Sequence, residues 1–477
     1  MTHVGKELAL YTFAMSKNKQ ASRLEFLKQR AIILVPLASL ASLVALGLGS
    51  NFALSSTMQW DKMQGDRTPC DLLSKESSEL KLAIVPQKTL FDTSVSESAI
   101  ESALNDDDRR MKEDFKVPSE IRTTVRFWLR VYTQYSTRNI AFFDHKNMDI
   151  IYEVLDFTDI LARSRNLVVY EILSERKLKK THGLYKAAFA SLIKNPNPKK
   201  PTREQKIILA KIKNPTSQTL KEMNEHFKYI RGQRDNLING LVAAESFLPK
   251  MEMIFAKNQV PVEFTRLSLV ESSFNLKATS KVGASGVWQF MPNIGKKFMT
   301  IDDQLQVDER RSPLKSTIAA AKMLKWNHHY LGSWTLAVIA YNHGLKNLPR
   351  YKNREASFKE ISHLFVADQG KKSLGWASRS YYAEFLGALY AENYRHLFYG
   401  EIPKSGIRPV TYVQLLKKES AVSFANRTGA PLKDFLFLNS DIQNMNQVLP
   451  KGFWIALPNK SDDIQNFVKL ALAKRGK

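Results

Sequence analysis

One cysteine, Cys70, stands in 477 residues. An intrachain disulfide is therefore excluded, and so is a thiolate metal cluster. That poverty suits an exported protein as well as a cytosolic one. Acidic residues are also scarce beside basic ones, 46 against 71, for a net charge of +25. The excess points to a polyanionic partner (nucleic acid, an anionic lipid surface or an acidic polysaccharide) or to a plainly solvated surface, and charge alone does not choose. His328 and His329 adjoin within a helical pattern and so point in different directions, whereas helix metal pairs use a spacing of four. No metal or cofactor ligand set emerges, and no internal repeat is found. What is present excludes global disorder: 44% apolar residues, with 26 Phe, 16 Tyr and 7 Trp. The length calls for two to four folded units.

Segment 1–30 is basic, with Lys17, Lys19, Arg23, Lys28 and Arg30 against Glu25, and 31–59 carries no charge. A basic stretch followed by an apolar one is an export signature whose positive side stays in the cytoplasm. The apolar core, AIILVPLASLASLVALGL, outruns the roughly 15 residues of a signal peptide and approaches the about 20 of a membrane helix. Segment 31–54 therefore reads as an inner-membrane anchor, or a signal sequence if cleaved. Cys70, within DRTPC, is not in the setting of a lipidated cysteine. Segment 55–117 is polar and turn-rich, a linker with one short helix. Segment 118–250 reads as helical throughout and forms an accessory domain without chemical motifs.

After Pro261 the pattern sharpens. In VEFTRLSLVESSFN, Phe264, Leu267, Glu271 and Phe274 share one stripe at steps of three and four. A carboxylate there is costly to ionise, so burial keeps it protonated near neutrality, as a general acid requires. Taken by itself, the residue is more simply a stripe-edge glutamate paired with Arg or Lys. GASGVWQ (283–289) offers backbone free of side chains where a ligand could approach closely, with Gln289 as a two-way hydrogen bonder and Trp288 facing either core or cleft. SWTLAVIAYNHG runs from a Ser333 cap to a Gly344 stop and ends on Tyr341 and Asn342.

In this order, Glu-Ser, Gly-x-x-Gln and Ala-Tyr-Asn, the motifs resemble the soluble lytic transglycosylase family over about 140 of the 477 residues. The resemblance implies a mainly α fold, with a goose-lysozyme-like catalytic domain over 251–400. It also implies cleavage of the β-1,4 bond between N-acetylmuramic acid and N-acetylglucosamine in peptidoglycan. Carried over by position, Glu271 is the acid and then the base, and Ser272 orients it. Gly286 and Gln289 shape the sugar site, while Tyr341 and Asn342 belong to the cleft. A family tyrosine falls in SRSYYAEFL, at Tyr381 or its neighbour Tyr382.

The matched motifs hold no second acid, because Asp302, Asp303, Asp308 and Glu309 fall in a polar loop read as solvated. A single glutamate implies a 1,6-anhydro product rather than hydrolysis. A hydrolytic muramidase and a non-catalytic wall-binding protein are the alternatives. Segment 409–458 has a strand, two helices and a strand, and it resembles a LysM module. The usual glycine-aspartate turn is replaced there by Lys417-Lys418-Glu419. Together these readings give a periplasmic or cell-envelope enzyme without cofactor. Peptidoglycan and the inner membrane are its partners, and nucleic acid is not.

Overall fold

The computed structural model describes residues 95–164, 166–345, 348, 358–362, 365, 374–403 and 410–458. The expected basic segment and anchor, 1–30 and 31–54, lie outside the described residues. Among those described, no helix is long and apolar enough to cross a membrane.

Helix α1 (Glu97–Asn105) is capped by Ser96 and buries Ile100, Ala103 and Leu104. It lies along α2 (Arg122–Thr133), where Arg122 and Arg126 pair with Glu101, and Arg130 pairs with Glu97. The expected linker thus does not extend through 95–117. Phe115 from this stretch is buried edge-on against Phe264 and Phe385.

The all-helical expectation for 118–250 also fails. Strands β1 (Asn139–Asp144), β2 (Ile151–Asp156) and β3 (Phe227–Arg231) form an antiparallel sheet in the order β2-β1-β3. Between β2 and β3 come α3 (Leu167–Lys194), α4 (Arg203–Leu209) and α5 (Ser217–His226). The central strand reads NIAFFD, and both its faces are buried. Ala141 and Phe143 enter the main core, while Ile140 and Phe142 enter a second core under α3. Successive strand residues point to opposite faces, so a strand buried on both sides shows no alternation. Its short apolar run then cannot be told from a buried helix by periodicity. Phe142 stacks on Phe227 at 5.3 Å, and Phe143 lies 4.4 Å from Phe127.

The chain then returns to the main core through α6 (Arg234–Ala244), α7 (Leu248–Lys257), a 3-10 turn (Val262–Arg266) and α8 (Leu267–Ser272). A two-stranded ribbon follows, β4 (Ile301–Asp302) with β5 (Val307–Asp308). Next come α9 (Pro313–Leu331), α10 (Trp334–His343) and α11 (Trp376–Asn393). Residues 380–391 of α11 are all buried, the mark of a helix surrounded by others. It crosses α2 so closely that a Cβ at Gly387 would lie 2.8 Å from the Cβ of Trp128. Helices α2 and α6, expected in an accessory domain, belong to the same core as α8, α10 and α11.

The C-terminal unit follows the expected element order. Strand β6 (Val410–Gln414) pairs antiparallel with the last strand, leaving β7 (Glu419–Ser420), α12 (Ala421–Thr428), α13 (Leu432–Leu438) and β8 (Val448–Leu449) between them. The last strand is β9 (Trp454–Pro458). Val413, Phe424, Phe435, Ile455 and Leu457 build a small core of its own.

Candidate active site

The helical stripe seen in the sequence is broken in the fold. Phe264 lies in the 3-10 turn and α8 is a single short helix, yet Phe264, Leu267 and Phe274 are all buried beside Glu271. The helix stops just past the glutamate because Ser273 and Phe274 both take left-handed backbone, φ 50° and 54°. Their amides close onto Leu269 and Ser268 carbonyls at 2.8 and 3.2 Å. Two such non-glycine residues in a row are strained and need outside support. Burial of the Phe274 ring supplies part of it. Gly240 supplies the rest, since a Cβ there would lie 2.6 Å from the Ser273 carbonyl oxygen.

Glu271 is partly exposed, and its carboxyl is otherwise enclosed. The Tyr381 hydroxyl donates a short hydrogen bond to its Oε1. Burial pushes the Glu271 carboxyl up to about 7, and the Tyr381 bond pulls against that rise. Burial, and then the charge of Glu271, push the Tyr381 phenol far above its ordinary range.

Tyr382 points elsewhere. Its ring packs on Phe358 and Phe385, and it bonds Thr335. Adjacent helical residues diverge by about 100°, so only one of the doublet can face Glu271.

A second carboxyl enters the same pocket from the turn of α11 that follows Tyr381. Glu384 is 3% exposed, accepts from the Tyr132 hydroxyl at 3.3 Å, and leaves its other oxygen buried without a partner. Burial, and then the charge of Glu271, raise it well above the carboxylate range. Two carboxyls in one dry pocket do not both ionise readily. Burial thus disfavours the charged form of Glu384. The motif reading passed it over because it lies outside the matched residues. Its spacing of three from Tyr381 was the available signal.

The glycine loop forms the facing wall. Gly286 has φ +77°, and a Cβ there would lie 1.7 Å from the Arg310 carbonyl oxygen, so only glycine fits. Gln289, at φ 47°, turns its side-chain amide back onto the Gly286 carbonyl at 2.8 Å. Ser272 donates to the Ser268 and Val287 carbonyls at 3.2 and 3.0 Å, which stitches α8 to this loop. Its influence on Glu271 runs through the backbone. The Tyr341 hydroxyl donates to the Trp288 carbonyl at 2.9 Å, and Glu271 raises its phenol further above the range burial already sets. Asn342 follows it, partly exposed, at the end of α10.

Trp288 itself is core: fully buried, stacked on Phe255 and donating to Thr317. His328 stacks on Trp334 at 3.9 Å. The polar loop corrects one more expectation. Asp308 is only 4% exposed and is held by Arg310 at 2.8 Å, and Glu309 accepts from Lys315 and from the Thr300 amide.

A helical core presenting a buried acid, a phenol bonded to it and a glycine-lined wall defines a lysozyme-like site. Residues 252–364 match the family model of the Transglycosylase SLT domain. It is 32% identical over 131 residues to the membrane-bound lytic murein transglycosylase D of Escherichia coli (strain K12), covering 27% of this chain and 28% of that protein. It is 33% identical over 116 residues to a putative tributyltin chloride resistance protein of Alteromonas sp. (strain M-1), covering 23% of this chain and 56% of the relative. The chain thus matches 28% of the length of the first of these relatives. Tyr381 and Glu384 lie beyond the matched domain.

Proposed function

We propose that this protein is a peptidoglycan lytic transglycosylase that cleaves the β-1,4 bond between N-acetylmuramic acid and N-acetylglucosamine. The observation that carries the reading is Glu271: an enclosed carboxyl near a glycine loop, bonded by Tyr381 and pushed up to about 7 by burial. Such a group holds a proton at neutrality and can also give it up, so it can serve as acid and base in one cycle. Protonated Glu271 donates to the glycosidic oxygen as the C1–O bond breaks, and the N-acetylglucosamine side leaves as an alcohol. Ionised Glu271 then accepts the proton of the muramyl C6 hydroxyl as its oxygen bonds C1, which closes the 1,6-anhydro ring. Tyr381 steadies the ionised form, since its hydrogen bond favours charge on Glu271.

Hydrolysis would ask a second, ionised carboxylate to activate water or attack the sugar. Glu384 is a second carboxyl that feels the charge of Glu271. It is buried and bonded by Tyr132, and burial disfavours its charged form, which suits neither task. That favours the anhydro product over the muramidase reading. Mass spectrometry of sacculus digests tests it: anhydromuramic ends are expected, and reducing muramic ends would overturn it. Release of no product at all would favour the non-catalytic wall-binding reading.

The same proposal puts the protein in the cell envelope, with 31–54 serving as an inner-membrane anchor or, if cleaved, as an export signal. Ser272, Gly286, Gln289, Tyr341 and Asn342 form the sugar-binding wall. The C-terminal unit is read as a LysM-like module, and the +25 charge of the whole chain suits an acidic glycan.

A further inference from the structure

The C-terminal unit and the glycine loop of the acid site are linked by one continuous run of contacts through residues 306–315. On the loop side the link is Arg310, which is 8% exposed. Its Nη1 donates to the Gly283 and Phe290 carbonyls at 2.7 and 3.0 Å, gripping both ends of the loop that carries Gly286 and Gln289. Its Nε and Nη2 are held by Asp308 at 2.9 and 2.8 Å, and its carbonyl oxygen is the surface on which Gly286 rests.

On the other side the same segment is clamped by residues 440–443. The Asp308 amide donates to the Asp441 carbonyl at 2.8 Å, the Gln443 amide to Gln306 at 2.8 Å, and the Ser440 hydroxyl to the Arg311 carbonyl at 2.8 Å. Val307 and Ile442 form an antiparallel bridge. Lys315, 9% exposed, bonds the 1% exposed Asp441 at 2.6 Å and lies over the Phe453 ring at 4.2 Å. A tethered carbohydrate-binding appendage has no need of a buried ion pair and shared backbone hydrogen bonds with its host.

Within the loop the pairing is limited to isolated bridges, Thr279–Ser285 and Ser285–Phe290, and to turn bonds such as the Gly286 amide on the Ala278 carbonyl at 2.9 Å. Gly283, Gly286 and Gln289 all sit at positive φ. Burial of Trp288 anchors the loop to the core, and Arg310 ties its two ends together. Val287 and Trp288 carry it onward to Ser272 and Tyr341, the neighbours of Glu271.

We propose that the C-terminal unit is a positioning element of the acid site, acting through Asp441 and Arg310 to fix the backbone of 283–290 that forms the sugar-binding wall. Arg310 is the positioning residue of this arrangement and touches no reacting atom. The catalytic consequence rests on the transglycosylase reading, whereas the mechanical one stands without it.

The test uses the full chain and two variants. Asp441→Asn removes the charge that Lys315 meets, and Arg310→Lys keeps a cation but loses the fork that grips the loop. Hydrogen exchange is followed on 278–290 and on 439–443, with kinetics on a short soluble glycan too small to bridge both units. Asp441→Asn is expected to speed exchange at least tenfold in both segments and to lower kcat/KM about tenfold, chiefly through KM. Arg310→Lys is expected to speed exchange in 278–290 and leave 439–443 within twofold of the parent. If Asp441→Asn loosens 439–443 while 278–290 stays within twofold, or loses only sacculus binding, the proposal is overturned. Should Asp441→Asn fail to fold, Arg310→Lys decides, and unchanged exchange in 278–290 overturns the proposal. A parent chain that forms no anhydro ends would sink the transglycosylase reading, and the exchange data would still judge the brace.

Discussion

Glu271 and Glu384 are buried among phenols, whereas Asp308 and Asp441 are buried against cations. The first pair meets Tyr381 and Tyr132, and both carboxyls are raised. The second pair meets Arg310 and Lys315 at 2.8 and 2.6 Å, along the seam between the helical core and the C-terminal unit. Burial lifts Asp441 as well, but there Lys315 pulls it back. Taking a carboxylate out of water is costly in both places. A cation offsets the cost and makes the group structural. A phenol offsets only part of it and leaves a proton that can be given away. The partner, more than the burial, separates a site from a strut.

The largest break in this comparison is Glu271→Gln, which removes the proton and keeps the shape. Anhydro-product release from sacculi is expected to fall at least about 10³-fold, within the range of general acid–base catalysis. The fold should gain stability. Folded Glu271 keeps its proton up to about 7, whereas an unfolded glutamate loses it near about 4.3. Between those values the folded state binds more protons, so parent stability falls as pH rises through the window. The Gln variant has no such loss. It should match the parent near pH 4 and exceed it by about 3–4 kcal/mol at pH 8 in urea melts. Equal curves at both pH values would mean that Glu271 is not buried as a neutral acid.

The seam should behave in the opposite way. Lys315→Met strands Asp441 in the core and is expected to cost about 3–5 kcal/mol in the same melts. Adding Asp441→Leu should recover most of that, because it removes the stranded buried charge and leaves only the partly exposed Glu309 without Lys315. If the single variant is nearly neutral, water reaches Asp441 and the contrast with Glu271 dissolves.

How much of this was legible in the sequence depended on whether the contacts were local. Glu271, Gly286 and Gln289 lie within 20 residues, and glycine at 286 is required by one close backbone contact, so spacing and residue type carried the information. The Ser333-capped helix that stops at Gly344 and the strand–helix–helix–strand order of the tail were legible for the same reason: caps and turns are written locally. The sheet was not. NIAFF is buried on both faces, and which face meets which core depends on α3 and α11, far away in the chain. Asp308 read as a solvated loop residue because part of its enclosure comes from residues 440–443, where the Asp441 carbonyl takes its amide, far away in the chain. Glu384 was hidden for a related reason, since its burial comes from α2, more than 240 residues upstream.

Tyr381 and Tyr382 bring the same contrast down to adjacent residues. Tyr381→Phe deletes the donor to Glu271 and so should move its pKa above about 7. Base formation is then harder. The activity profile should shift to higher pH, with the rate near neutrality down about 10–100-fold, part of what a positioned proton-transfer group contributes.

Tyr382→Phe is the smallest effect and the sharpest control. Its hydroxyl serves Thr335 and its ring serves Phe358 and Phe385, away from the acid. Losing one buried hydrogen bond should cost about 1 kcal/mol in a melt. Rate and pH profile should stay within about twofold of the parent, since a structural bond of this size does not reach the proton inventory of Glu271. A shifted profile in Tyr382→Phe, with an unshifted one in Tyr381→Phe, would reverse the assignment and place the working phenol on the other side of the helix.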